Sequence, residues 1–358
     1  GIRRGPGSAL QRRRRRQRAI RQPTQRGFAG AGERRANAFL AGGGGFAASL
    51  GDGGGFAAEL AAQLNAGGAA AAKATETLLT PGLMCRLAFE QAGCRAVQLA
   101  LDVVDRRTAA ELAQGLRGQV AEAIRSPHAN YVLQKIIKVL TPQEAPFVVA
   151  EVHQASLDLA RHEYGCRIYC RLLEHAAADE STARLVDEVL DDCDDLVRHT
   201  FGHHVVECAL EHGMPHQRHA IIEALRASPL RNAWNRNAAY VVEKALMYGD
   251  MEDRMALAQD LLANPASDIA ALARSQYGSM VMRALLRMPE PVSQQAQDVV
   301  RSPDALIQLK ATKHGRRLLE DNTLLGGCST GAAGGDSSRM PAGLRPTSLS
   351  KAAVVAGA

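Results

Sequence analysis

Pairs of mostly polar side chains, four residues apart, recur along this 358-residue chain. This spacing puts both members on one face of an α-helix, whose turn takes about 3.6 residues. In most cases a side chain with a flat group directly follows the first member of the pair. Two hydrogen-bonding groups beside a flat group can hold a planar heterocycle by its edge and its face. The pairs are Cys94/Gln98, Asn130/Gln134, Cys166/Cys170, His203/Glu207, Ala239/Glu243, Ser279/Arg283 and Arg316/Glu320, and the residues that follow the first members are Arg95, Tyr131, Arg167, His204, Tyr240, Met280 and Arg317.

The first member of each pair, which we call the anchor, recurs at intervals of 36, 36, 37, 36, 40 and 37 residues. A fixed period of this length is typical of stacked helical units. Gly or Ala precedes every anchor, which lets a helix start close to a neighbouring backbone. An apolar residue stands three positions after every anchor. We therefore predict an all-α solenoid, with a first helix, a motif helix that carries the pair, and a third helix in each repeat.

Two further positions follow from this helical interpretation. The segment TARLVDEVLDDCDD after Ser181 is predicted to be one third helix, with its acidic residues facing outward. Trp234 is predicted to lie in the core, on a first helix. No alternating pattern that would indicate a β-strand occurs in the sequence.

The repeated motif, small–polar–flat–apolar–apolar–polar, resembles that of Pumilio-family (PUF) RNA-binding repeats from about Leu79 to Leu325. The resemblance implies a right-handed superhelical arc of about seven three-helix Pumilio-type repeats. It also implies that single-stranded RNA lies on the concave face, one base per repeat, with its 3′ end at the N-terminal repeat. All of the pairs and flanking residues above would then be RNA-binding residues.

Two repeats match the base-reading pairs of the family. They are Cys94/Gln98 with Arg95, which the resemblance implies for adenine, and Asn130/Gln134 with Tyr131, implied for uracil. Together they imply a target that ends in UA. Glu243 resembles the glutamate of a guanine-reading pair, although Ala239 replaces the usual serine. Four repeats depart from the family pattern, at Cys170, His203, Arg283 and Arg316. We identify no eighth repeat.

Charge is unevenly distributed along the chain. Residues 1–40 hold twelve Arg and one Glu, whereas residues 80–325 hold 27 Lys and Arg against 32 Asp and Glu. A net-acidic domain is not attracted to RNA by charge alone. Lys135, Arg171 and Lys244 directly follow the second member of their pairs and are predicted to contact phosphates. The alternative is ordinary solvated helix charge.

Composition divides the chain into three segments. We predict a disordered Arg-rich and Gly/Ala-rich arm at residues 1–74, the repeat domain at 75–326 and a disordered tail at 327–358. The run Arg12–Arg16 fits a nuclear localisation signal, an additional RNA-binding arm or an organellar presequence. Since the chain begins with Gly1, no presequence is assigned.

No catalytic motif is found, and we predict no enzyme, no cofactor and no metal site. Seven cysteines without a CxxC pair indicate a reducing compartment. Two groupings at helical spacing could hold a metal ion, but the repeat and a surface helix explain them better. They are Cys166 and Cys170 with His162, and the set His212, His216 and His219.

The leading functional hypothesis is a monomeric, cytoplasmic protein that binds single-stranded RNA with sequence selectivity. The family resemblance suggests mRNA 3′ untranslated regions as targets, and therefore post-transcriptional regulation, including regulation of translation. The second hypothesis is a less selective RNA-binding relative in ribosome biogenesis, with a nuclear or nucleolar location. The third is a protein-binding α-solenoid scaffold similar to armadillo or HEAT repeats.

Overall fold

The computed structural model describes residues 53–326, and the regular elements in that range are all helical, as predicted. There are 22 α-helices, and one 3-10 turn at Gln114–Leu116. The helices are α1 (Gly53–Ala66), α2 (Gly68–Leu78), α3 (Leu83–Phe89), α4 (Gly93–Val103), α5 (Arg106–Ala113), α6 (Val120–Arg125), α7 (Ala129–Val139), α8 (Pro146–His153), α9 (Ser156–Ala160), α10 (Gly165–Ala176), α11 (Glu180–Leu190), α12 (Cys193–Leu196), α13 (Gly202–His212), α14 (Pro215–Arg226), α15 (Pro229–Trp234), α16 (Ala238–Tyr248), α17 (Met251–Leu262), α18 (Ala266–Ala273), α19 (Gly278–Leu286), α20 (Val292–Arg301), α21 (Pro303–Lys310) and α22 (Lys313–Gly326). Among the described residues, no helix is long and apolar enough to cross a membrane.

From α3 onward the helices recur in the predicted order of first, motif and third helix. The motif helices α4, α7, α10, α13, α16, α19 and α22 pack one on the next and form the motif-helix row. The third helices α8, α11, α14, α17 and α20 form a second row, and each first helix packs on the motif helix that follows it. One continuous core of buried residues runs through these layers, from Leu60 to Leu318.

The first helix and the motif helix of a repeat approach each other closely where the motif helix begins. A Cβ atom on Gly93 would lie 2.5 Å from the carbonyl oxygen of Leu87, six residues earlier, which is too close for any side chain. The structure thus explains why the residue before the anchor is small. In five repeats a glycine at this position is paired with a leucine six residues before it, and in the two repeats with alanine that leucine is absent. The glycine–leucine pairs are Gly93/Leu87, Gly165/Leu159, Gly202/Leu196, Gly278/Leu272 and Gly315/Leu309, and the alanine pairs are Ala129/Ala123 and Ala238/Asn232.

Most motif helices are capped by the side chain of the residue four positions before the anchor. The Ser126 hydroxyl accepts a hydrogen bond from the backbone N–H of Ala129 at 3.1 Å. His199 Nδ1 accepts from the N–H of Gly202, also at 3.1 Å. Such caps satisfy N–H groups that have no partner within the helix. The same position holds further acceptors in four other repeats, namely His162, Asn235, Ser275 and Thr312. This column of acceptors was not predicted from the sequence, although its period of 36–40 residues is visible in the chain.

Hydrogen bonds between successive repeats fix their relative positions. The carboxylate of Glu151 on α8 accepts from the backbone N–H groups of Gly118 and Val120, at 2.7 and 3.0 Å, and so caps α6. On the third-helix row, Arg226 of α14 pairs with Asp260 of α17 at 2.7 Å. Each repeat is therefore tied to its neighbour by polar contacts as well as by the shared core.

The prediction of a disordered arm up to residue 74 is wrong for its last part. Residues 53–66 and 68–78 are the helices α1 and α2, and α1 packs on α4 as one motif helix packs on the next. Leu60 and Leu64 are only 2% exposed. Together with Phe56 they form an apolar stripe at a spacing of four residues. Burial of this stripe stabilises α1 against α4, despite the Gly/Ala-rich composition. Residues 1–52, with the Arg-rich run, and residues 327–358, the predicted tail, lie outside the described residues.

Two further predictions need correction. The segment after Ser181 is two helices, because α11 ends at Leu190 and α12 begins at Cys193. Asp194 and Asp195 therefore belong to the first helix of the next repeat. Trp234 is 44% exposed and not part of the core, since it ends α15, whose buried residues are Asn232 and Ala233.

We expect Gly93→Ala to lower the free energy of unfolding by about 1–3 kcal/mol, because the added methyl group overlaps the Leu87 carbonyl. The measurement is urea unfolding followed by circular dichroism. Ala129→Gly, at the same position of the next repeat, is the control and should cost about 0.5–1 kcal/mol at most, from helix propensity alone. A Gly93→Ala protein as stable as the wild type would contradict the close approach.

The histidine caps predict a loss of stability in mild acid. Burial lowers the pKa of His162 and of His199 below the ordinary value of 6.5. Below pH 6.5 the unfolded chain therefore binds more protons than the folded chain, and stability falls as the pH drops towards the lowered folded pKa. We expect His199→Asn, which keeps a capping acceptor as at Asn235, to flatten this dependence. The measurement is the urea midpoint from about pH 7.5 to 5, and an unchanged profile would show that the cap does not titrate.

Candidate nucleic-acid interface

Flat side chains are exposed at the same position of successive motif helices. Tyr131 on α7 is 45% exposed and Tyr240 on α16 is 40% exposed, although aromatic rings are usually buried. The equivalent residues Arg95, Arg167, His204 and Arg317 are also exposed, and Met280 is half-buried. Because the motif helices stack in one row, these side chains form a column with one member per repeat. We call the surface made by this column and the adjacent polar pairs the reading face.

The two members of a pair do share one face of the helix, as the spacing predicts. In the second repeat, Gln134 Nε2 donates to Asn130 Oδ1 at 3.0 Å, and Asn130 Nδ2 donates to the Ser126 carbonyl at 2.7 Å. In the first repeat, Gln98 Nε2 donates to the carbonyl of Cys94 at 3.0 Å. The glutamines are half-buried, whereas the two anchors are buried. The edge that a ligand can reach in these repeats is therefore mainly that of the glutamine.

Buried anchors are the rule on this face. Cys94, Asn130, Cys166, His203, Ala239 and Ser279 are all buried, and Arg316 is exposed. The small residue before the anchor lets the start of the motif helix pack close to the first helix. This close packing also buries the anchor. The anchors therefore offer little surface to a ligand. Their main role is to position the second member of the pair, four residues later.

The third repeat presents thiols where the other repeats present amides or charges. Cys170 Sγ donates to the carbonyl oxygen of His204, in the next repeat, at 3.5 Å, and also hydrogen-bonds Cys208. This hydrogen bond, together with burial, raises the pKa of Cys170. Burial raises the pKa of Cys166 to about 11. Both groups are neutral thiols at physiological pH and weak hydrogen-bonding partners.

The fourth repeat brings two imidazoles and a carboxylate together. The rings of His203 and His204 lie 3.9 Å apart between centroids. Glu207 faces both, with one oxygen 3.9 Å from His203 Nε2 and the other 3.8 Å from His204 Nδ1. Burial is the main cause of the lowered pKa of His203. The neutral form of this ring is thus favoured.

Glu243 carries the only polar group of the fifth pair, because its anchor, Ala239, is a buried methyl group. Burial raises the pKa of Glu243, while Arg283 and Arg287 of the following repeat act in the opposite direction. Burial therefore favours the neutral carboxyl group, whereas the two nearby cations favour the carboxylate.

In the last two repeats, arginines that depart from the family pattern donate to nearby backbone carbonyl groups. Arg283 Nε donates to the carbonyl of its anchor, Ser279, at 3.2 Å, and its guanidinium lies 3.8 Å from Asp321. Arg316 donates to the carbonyl of Lys310 at 2.9 Å. Glu320 is exposed. These repeats offer charge, but their guanidinium groups already have partners.

The cations predicted to contact phosphates are paired with carboxylates in the free protein. Lys135 lies 2.7 Å from Asp102, and Lys244 lies 2.6 Å from Glu211. Both carboxylates belong to the preceding motif helix, eight residues after its anchor. Arg171 pairs with Glu174, which occupies that same position in its own repeat. This acidic position was not predicted from the sequence, although Asp102, Glu174 and Glu211 all stand eight residues after their anchors.

The two groupings weighed for metal binding are engaged elsewhere. His162 Nδ1 accepts the backbone N–H of Tyr164 and serves as a cap. His216 and His219 on α14 pair with Asp187 and Asp253, on the third helices before and after it, at 3.0 and 2.9 Å. These histidines therefore tie the third-helix row together, and neither grouping surrounds a common point among the described residues.

Comparison with known proteins supports the identification of the repeats. A sequence profile of the NOP9-like PUF repeat domain matches residues 71–321. A Pumilio domain-containing protein of Schizosaccharomyces pombe is 24% identical over 234 residues, which cover 65% of this chain and 34% of that protein. Pumilio homolog 12 of Arabidopsis thaliana is 23% identical, over 58% of this chain and 34% of its own length. The chain thus spans about a third of the length of these curated relatives.

Solved structures confirm the α-solenoid. The Puf3 RNA-binding domain, bound to a Cox17 RNA 3′ UTR sequence, is similar with a TM-score of 0.67 at 20% identity, over 75% of this chain and 84% of that one. PUF-8 in complex with PBE-RNA is similar with a TM-score of 0.62 at 17% identity, over 88% of this chain and 100% of that one. At these identities the likeness concerns the fold alone. The profile, however, covers more than half of the chain, and the chain therefore belongs to the family of NOP9-like PUF repeat domains, in agreement with the Pumilio-family resemblance of its motif.

Proposed function

We propose that the reading face binds single-stranded RNA, with one repeat for each base. The observation that carries this proposal is the column of exposed flat side chains, which includes Tyr131 and Tyr240 at about two-fifths exposure. Stacking on such side chains holds bases of any sequence, and the adjacent half-buried amides of Gln98 and Gln134 supply edge contacts. The Puf3 and PUF-8 structures that share this fold are bound to RNA.

Selectivity is concentrated in the first two repeats, Cys94/Gln98 and Asn130/Gln134, which match base-reading pairs of the family. We infer a preference for UA at the 3′ end of the site. The proposed targets are mRNA 3′ untranslated regions. The protein would bind them as a cytoplasmic monomer and act in post-transcriptional regulation, including regulation of translation. The role is one of binding and not of catalysis.

A second candidate is a less selective RNA-binding protein of ribosome biogenesis, in the nucleus or nucleolus. The observation that favours it is the state of the later repeats. Cys170 offers only a neutral thiol, and Arg283 and Arg316 are held by neighbouring carbonyl groups. Repeats of this kind supply stacking and charge with little discrimination between bases.

In vitro selection from random RNA separates the two candidates. With the full chain, we expect an enriched motif that ends in UA. A variant that lacks residues 1–52 should enrich the same motif, because the reading face lies within the described residues. RNA binding without any enriched motif would favour the less selective candidate. The absence of RNA binding would favour the protein-binding scaffold.

Tyr131→Ala tests whether the column of flat side chains is used. We expect the variant to bind the selected RNA more weakly by about 1–3 kcal/mol, through the loss of stacking on one base. Trp234→Ala is the control, since this exposed aromatic side chain lies on a first helix outside the motif-helix row. Equal losses in the two variants would show that binding is not confined to the reading face.

Asp102→Asn should strengthen RNA binding at low salt. The change releases Lys135, which Asp102 holds at 2.7 Å, and makes its ammonium group available to a phosphate. The plot of log affinity against log salt concentration should steepen by about 0.7 for one additional phosphate contact on a single strand. Asp102→Asn combined with Lys135→Gln is the control and should lose the gain. An unchanged salt slope in the single variant would show that the pairing with Asp102 does not keep Lys135 from a phosphate.

A further inference from the structure

Three side chains of the fourth motif helix, α13, place metal-ligating atoms around one point. The ligand atoms of His203, His204 and Glu207 all lie within 4.8 Å of one another. The carboxylate oxygens are 3.9 Å from His203 Nε2 and 3.8 Å from His204 Nδ1. Neighbouring ligands of a tetrahedral Zn²⁺ ion are about 3.3 Å apart, since each bond to the metal is about 2.0–2.1 Å. The two distances to the carboxylate exceed this value by about half an ångström, so the side chains would have to move closer together around a bound ion.

The hydrogen bonding of His203 defines which of its nitrogens can bind a ligand. His203 Nδ1 lies 2.8 Å from the backbone carbonyl oxygen of His199. A carbonyl oxygen only accepts, so the ring proton is on Nδ1 and the lone pair is on Nε2. Metal-ligating histidines are typically oriented in this way, by a second nitrogen that donates to a carbonyl or carboxylate. The ring is also held by packing, because His203 is only 6% exposed.

His203 Nε2, which holds the lone pair of the neutral ring, lies 3.9 Å from a carboxylate oxygen of Glu207. Two acceptors that face each other at 3.9 Å repel unless a cation or a hydrogen-bond donor lies between them. A divalent cation at this point would bind both and would also reach His204. The side chain of His204 is 52% exposed, so the site is open to solvent on one side. That side provides an entry path and a fourth position for water.

We propose that His203, His204 and Glu207 bind one first-row divalent transition-metal ion, with Zn²⁺ as the expected occupant, and that the bound ion excludes a base from the fourth repeat. Two imidazoles and one carboxylate are a ligand set that suits these ions, whereas Mg²⁺ and Ca²⁺ prefer oxygen ligands alone. The exclusion rests on the proposed RNA-binding function, because the same side chains occupy the pair and stacking positions of this repeat.

The site is tested on the full chain without a polyhistidine tag, after removal of metal with a chelator. Titration calorimetry with Zn²⁺ at neutral pH should show one ion per chain, and Co²⁺ should give the visible absorption of a four-coordinate complex. His204→Ala and Glu207→Gln should each weaken Zn²⁺ binding by at least about tenfold. Both residues lie at the surface end of the cluster, and unchanged circular dichroism would show that the variants are folded.

The matched control is the double variant His216→Ala with His219→Ala, which removes two exposed histidines of α14 and leaves α13 unchanged. It should bind Zn²⁺ as the wild type does. A chain that binds no Zn²⁺, or one whose binding is lost in the control and kept in the α13 variants, would overturn the site.

The exclusion is tested with a pool of random single-stranded RNA. Saturating RNA should weaken Zn²⁺ binding, and Zn²⁺ should weaken RNA binding by the same factor, since the coupling of two ligands is reciprocal. Independent binding of Zn²⁺ and RNA would overturn the exclusion. Failure of the chelator-treated chain to bind RNA, with Zn²⁺ binding intact, would overturn the proposed function and leave the metal site standing.

Discussion

The close contact between the first helix and the start of the motif helix is the constraint on which the rest of the structure depends. It allows no Cβ atom at Gly93 beside the Leu87 carbonyl. In the five repeats that have this glycine, the contact constrains how the motif helix packs against the first helix. Because the motif helices stack in one row, their flat and polar side chains lie in line. The same approach buries the anchors and leaves the residues four positions later to face outward.

The reading face is largely satisfied within the free protein. Gln134 donates to Asn130, Lys135 pairs with Asp102, and Arg283 is held by Ser279. A ligand must therefore exchange these contacts for its own, and the net gain from each new hydrogen bond is modest. The proposed function therefore relies on stacking against flat side chains such as Tyr131, which is 45% exposed. The repeat domain is net acidic, with 27 Lys and Arg against 32 Asp and Glu in residues 80–325. Its overall charge therefore does not attract RNA.

The helical repeats were predictable because the period of 36 to 40 residues can be recognised even where the helix propensity of individual residues is low. The motif helices α4, α7, α10, α13, α16 and α19 begin at the predicted small residue, whereas α22 begins two residues before Gly315. The helices α1 and α2 were missed, since a Gly/Ala-rich composition outweighed the stripe of Phe56, Leu60 and Leu64. Trp234 was misplaced because the burial of a residue at a helix end depends on the neighbouring repeat.

The sequence by itself determined which residue types occur on the reading face and at what interval, because helical spacing follows from local geometry alone. It also determined the family, through the motif that carries those residues. Only the tertiary structure decided how deep each side chain lies and which partner it has. The pairing of Lys135 with Asp102 and the convergence of His203, His204 and Glu207 depend on rotamers and on the contact between neighbouring helices. The first contact joins two neighbouring motif helices, so its distance arises only when the repeats are packed. The second joins residues within about one turn of α13, and its distances depend on their rotamers.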